Sequence, residues 1–179
     1  MANNTHGYVS TMRCTCVDVD AYNRVGIYST GDIDNGTFVT LTAINKGTDG
    51  TVSEFNYTVA PATASTTGDV WLVNTPEVGT TPEQQMMSDP RYFYNAAGRP
   101  LSLKRLNPKT DIIEVDANCF ASGALPTTEG YVTIGTNGKL VAAGSAPSAG
   151  KTYFSVVGFN TVAVGMEQMK TVLLQCEAN

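Results

Sequence analysis

The run Val70-Trp71-Leu72-Val73 constrains this chain most. It is the densest apolar stretch available, it contains the single tryptophan, and Asn74 and Pro76 close it after four residues. A helix of that hydrophobicity would have to be longer, so the run reads as a short strand buried on both faces. A strand of this kind lies at the centre of a fold, with apolar layers on either side.

Around it the pattern is that of a β protein. Met12, Cys14 and Cys16 alternate with polar residues, then the apolar phase slips to Val17 and Val19, as a bulge near Cys16 would produce. Asp34-Asn35-Gly36 tolerates positive φ and marks a tight turn into a strand carrying Val39 and Leu41. The polar loop at residues 45–50 joins it to a second strand with Phe55, Tyr57 and Val59 on alternate positions, forming a hairpin with a long loop. Leu101 and Leu103, then Ile113 and Val115, indicate two strands around Asn107-Pro108. Val132, Ile134 and Leu140 flank Asn137-Gly138, the pair that favours a type I′ turn. Further strands follow near Tyr153–Phe159, Thr161–Val164 and Thr171–Cys176, with Gly158 and Gly165 at bends or bulges.

The expected fold is therefore all-β, a mainly antiparallel barrel or sandwich of about ten strands with one short helix near residues 81–95. Thr81 would cap that helix and Pro82 would open it, and Asp89-Pro90 would end it. Residues 1–10, polar and without a period, read as a flexible N-terminal arm, either frayed or ordered by a neighbouring subunit. Residues 11–179 form a single mainly β domain with a sub-boundary near 121–130. A chain of 179 residues buries roughly 70% of its unfolded surface, so no disulfide staple is required.

Chemistry is sparse. There is one histidine, His6, and neither a GxSxG elbow nor a ligand-spaced His/Cys cluster, so the chain does not read as an enzyme. No phosphate-loop pattern surrounds Gly68. Asp32, Asp34 and Asp49 lack the spacing of a calcium loop and fit turn chemistry. Cys14, Cys16, Cys119 and Cys176 could in principle hold zinc, but the CxC spacing is too close for structural zinc pairs, and buried free thiols are the better reading. Neither cofactor nor metal is expected. The N-terminal residues lack a secretory pattern and no run reaches the roughly 20 apolar residues of a membrane helix, so a cytoplasmic product is expected.

The formal net charge is −5, which disfavours nucleic acid as a partner. Against that background Arg91, Arg99, Lys104, Arg105 and Lys109 gather five of the eleven basic residues beside Tyr92, Phe93 and Tyr94. The cluster is either a solvated face paired with Asp111, Glu114 and Asp116 or a protein-binding patch.

The order DIDNGTFVTL, APA, GDVWLVNTPEV, YNAAGRPLSLKRL and TDIIEV, over residues 31–116, resembles the head decoration or capsid-stabilising (cement) proteins of tailed bacteriophages. The basic pair at Lys104-Arg105 and the Pro-Lys-Thr turn depart from that pattern, and the hairpin after Gly123 lies beyond it. The resemblance implies a structural virion protein without catalytic residues, assembled in the host cytoplasm and located on the capsid surface. Its implied partner is the major capsid protein, with the chain itself an oligomer and a trimer the candidate state. The capsid contacts expected on this reading are Asn3, Asn4, His6 and Tyr8 of the arm, with Arg91, Tyr92, Tyr94, Arg99, Lys104 and Arg105. The alternative is a carbohydrate- or receptor-binding β module of a phage tail or cell surface.

Overall fold

The computed structural model describes residues 6–10, 20–46, 48–52, 55–77, 92–164 and 167–179. Within them lie ten strands: β1 Asn23–Ile27, β2 Phe38–Ile44, β3 Asn56–Pro61, β4 Trp71–Val73, β5 Pro100–Arg105, β6 Ile112–Asp116, β7 Tyr131–Ile134, β8 Leu140–Ala143, β9 Tyr153–Val164 and β10 Glu167–Ala178. Short 3₁₀ turns occupy Asp20–Tyr22 and Ala117–Cys119, and no helix reaches seven residues among the described residues. Most of the helix expected near 81–95 lies outside the described residues. Its last residues, 92–95, are not helical, and Asn95 instead forms a β-bridge with Ile33.

The first five strands close a barrel in the order β1-β3-β2-β4-β5. All its neighbours are antiparallel except β1 and β3, which run parallel. The other five form an antiparallel sheet, β6-β10-β9-β7-β8. The two strands flanking Asn107 are present as expected, but they do not pair. β5 completes the barrel and β6 enters the sheet, so the turn at 107–111 is where the chain passes from one to the other. Residues 121–130 lie inside the second half, between Phe120 and β7.

The Val70–Val73 run is buried on both faces, and the two layers it separates are distinct. Trp71 and Val73 face the barrel interior with Ile33, Val39, Val59, Leu101 and Leu103. Val70 and Leu72 face the opposite way, into a larger core shared with the sheet residues Ile113, Val115, Val132, Leu140, Phe154, Val172 and Leu174. On β2 the same alternation sends Phe38 to the shared core and Val39 to the barrel interior. One wall of the barrel thus serves as a second sheet for the β6–β10 layer, and this wall must be apolar on both faces.

The β7–β8 hairpin closes the join from the other side. Asn137 adopts φ 55°, ψ 31° and Gly138 φ 69°, and Lys139 N–H bonds the Thr136 carbonyl at 3.2 Å, which is the expected type I′ turn. Gly138 N–H then donates to the Ala62 carbonyl at 2.7 Å, and a Cβ at this position would lie 2.1 Å from the Phe38 carbonyl oxygen. The hairpin tip is thereby set onto the barrel backbone. On β9, Val157 is the extra residue of a bulge opposite Leu173 and Leu174, beside Gly158 as anticipated.

Candidate partner-binding surfaces

Three surfaces contain the residues with chemical or binding potential. The first is the seam between barrel and sheet, where the N-terminal segment runs. Val9 is fully buried in the shared core and bridges Val115, while Ser10 N–H donates to the Glu114 carbonyl at 2.9 Å. Tyr8 N–H donates to Asp116 Oδ1 at 3.0 Å. Residues 6–10 therefore do not form the flexible arm expected for 1–10. Burial of Val9 and the backbone bonds to β6 offset the entropy of ordering them. Asn3 and Asn4 lie outside the described residues.

His6 ends this strap on the barrel. Its Nδ1 lies 2.9 Å from Asp34 Oδ1, and its ring stacks on Tyr94 with centroids 5.2 Å apart. Lys139, from the hairpin tip, donates to Asp34 Oδ2 at 3.1 Å and to the Asn118 carbonyl at 3.0 Å. Asn118 Nδ2 donates in turn to the His6 carbonyl. Asp34 sits in the expected Asp-Asn-Gly turn, where Gly36 takes φ 82°. Asn35 fixes that turn by exchanging bonds with the Thr75 backbone at 2.9 and 3.0 Å. The arrangement clamps strap, barrel and sheet together. Cys119 lies beneath it, free and fully buried, its Sγ 3.3 Å from Asp116 Oδ1. Burial, followed by the nearby Asp116 carboxylate, pushes this thiol well above its ordinary pKa, so it is a poor nucleophile. Cys176 is also free and buried, its thiol pushed up to about 12 by desolvation and then by Asp111. Cys14 and Cys16 lie outside the described residues.

The second surface is the basic segment, which the tertiary structure disperses. Arg105 bonds Asp69 at 2.8 Å and Lys109 pairs with Glu177. Tyr94 is taken up by His6, whereas Tyr92 and Arg99 are exposed and Lys104 is half-buried on the outside of β5. Arg91 lies outside the described residues. The acidic residues expected to pair with this face point inward instead. Asp111 Oδ2 accepts from Asn107 N–H at 2.7 Å, and Glu114 Oε1 accepts from Asn160 at 3.0 Å and Thr171 at 2.6 Å. Asp32 and Asp49 behave as turn residues: Asp32 accepts from Ala97 N–H at 3.0 Å, and Asp49 accepts from the Thr51 N–H and hydroxyl. Those two bonds hold the Asp49 carboxyl below its ordinary pKa.

The third surface escapes a reading of the sequence pattern. At the β2–β3 end of the barrel Val25, Ile44 and Val52 are each more than 40% exposed and Phe55 is 86% exposed. Asn23, Arg24, Val25, Phe55 and Tyr57 line a shallow groove here. Ile44 and Tyr57 are cross-strand partners, and Arg24 lies over the Trp71 ring, 5.8 Å from its centroid. The alternation Phe55-Tyr57-Val59 predicts one shared inward face. Only Val59 is buried and Tyr57 is half-buried, because Phe55 precedes the first paired residue of β3 and lies past the barrel rim.

No protein-family model matches the chain, and neither does any curated protein or solved structure.

Proposed function

We propose that this protein is a structural component of a bacteriophage virion that binds the outside of the assembled capsid and reinforces it, as an oligomer for which a trimer is the candidate state. Two things support the reading: the order of turn and strand motifs over residues 31–116, and the apolar cluster around Phe55. The Phe55 cluster carries it. A ring left 86% in water gains the hydrophobic term only when a partner covers it. In this proposal Phe55, Val52, Ile44 and Val25 form the centre of the attachment surface, and Arg99, Lys104 and Tyr92 contribute at the margins.

The groove beside Phe55 favours a second reading, a glycan- or receptor-binding module. An exposed aromatic ring in a shallow groove shared with Asn23, Arg24 and Tyr57 offers a stacking face at a polar margin.

The test uses Phe55→Ser, measured by co-sedimentation with undecorated shells. The variant keeps its circular dichroism and melting temperature, because the ring is solvent-exposed, and its occupancy falls by tenfold or more. Wild-type protein that fails to sediment with shells, but binds a glycan or receptor surface in a Phe55-dependent way, establishes the second reading. Unchanged occupancy for Phe55→Ser removes the cluster from the attachment surface.

A further inference from the structure

A cleft of about 120 Å³ opens at the join between barrel and sheet, between the β3–β4 loop and the approach to β9. One water needs roughly 10–15 Å³ of such space, so the cleft has room for a polyatomic ion. Its lining is unusual for an acidic chain. Thr63, Thr66 and Thr152 lie in its wall together with the apolar Val70, Ile134 and Pro147, Lys151 supplies its one charge, and no carboxylate side chain lines it.

Lys151 Nζ gives one bond to the Ala64 carbonyl at 2.7 Å, which anchors the ammonium across the cleft with further N–H groups to offer. Thr66 Oγ1 accepts from Thr63 N–H at 2.9 Å, so its own hydrogen is directed elsewhere, toward Thr63 Oγ1 at 3.2 Å or into the cleft. Thr152 donates to Asn179 Oδ1 at 3.2 Å, which holds that wall in place.

We propose that this cleft is a binding site for a small oxyanion of the phosphate, sulfate or carboxylate class. Lys151 provides the charge-assisted bond and the Thr66 hydroxyl a neutral one. The site is independent of the attachment surface around Phe55. Because its walls come from both halves of the molecule, a bound anion bridges the barrel and the sheet.

The experiment is a titration of isotope-labelled protein with sodium phosphate at constant ionic strength, followed by amide NMR shifts, with parallel titrations of acetate and chloride. Saturable shifts are expected at Thr63, Thr66, Thr133, Lys151 and Thr152 with phosphate and not with chloride. Lys151→Gln weakens binding at least tenfold, Lys151→Arg stays within about threefold and Thr66→Val weakens it several-fold, as expected for one charged and one neutral hydrogen bond. Dispersed spectra of each variant verify folding. An equal response to acetate assigns the site to carboxylates as well, and a response to phosphate alone assigns it to tetrahedral anions. The proposal is overturned by shifts that never saturate, by shifts confined to other lysines, or by an unchanged affinity in both Lys151→Gln and Thr66→Val.

Discussion

Phe38 of the barrel and Phe154 of the sheet meet with ring centroids 5.3 Å apart and planes tilted by 46°. Both are fully buried, and they are the largest fully buried side chains among the described residues. The contact ties together two sheets that share no ladder of hydrogen bonds among the described residues. Phe154→Ala is expected to cost about 3–5 kcal/mol. Because the core is common to both halves, urea unfolding followed by Trp71 fluorescence and by far-ultraviolet dichroism should shift together. Separate transitions would show that the halves fold independently.

Gly138 offers a sharper test of the same join. An alanine there must take φ 69° and place its Cβ 2.1 Å from the Phe38 carbonyl oxygen. Gly150 has φ 84° but open space around it. Gly150→Ala should therefore cost only the left-handed strain, about 1–2 kcal/mol. Gly138→Ala should cost distinctly more, since the hairpin tip has to leave the barrel backbone. Equal losses in denaturant midpoint would mean that the turn is not seated as described.

The N-terminal strap should behave as part of the fold. Val9→Ala is expected to lose about 2 kcal/mol, the order of a buried aliphatic side chain. His6→Ala should lose less than about 1 kcal/mol, because the His6–Asp34 pair is partly exposed and such pairs are weak. Deleting residues 1–10 removes both, so the truncated protein should melt well below the intact one. A melting temperature unchanged by the deletion would return the whole segment to the status of an arm.

Alkaline stability should follow the buried thiols. A thiol whose folded pKa is raised contributes stability that is complete below the unfolded value, near 8.5. That stability is lost as pH rises, because only the unfolded chain releases the proton. For Cys176, pushed up to about 12, the window runs from about pH 9 to 12. The melting temperature should fall across it, and less steeply in Cys176→Ala than in wild type. Parallel slopes would assign the alkaline loss to other groups.

Much of this architecture is legible in local sequence because it is local in origin. The Asp34-Asn35-Gly36 and Asn137-Gly138 turns follow from residues that accept positive φ, and the strand positions follow from alternation along β2, β5, β7 and β10. The double burial of Val70–Val73 was equally readable, since a strand apolar on both faces must be covered twice. What covers it was not. Alternation states that a residue faces inward but does not identify the layer it meets, so the division of Trp71 and Leu72 between two cores emerged only with strand order. Pairing across long separations likewise decided that β5 and β6 part company at Asn107, and that Val9 finds Val115. The same distance effect governs the surfaces. Arg105 and Lys109 lose their free charge to Asp69 and Glu177, far along the chain, and Phe55 is exposed because it lies past the barrel rim, a boundary that no local pattern marks. Lys151 and Thr63 come from loops separated by two strands of the barrel and three of the sheet, so their shared cleft exists only once the two halves have packed.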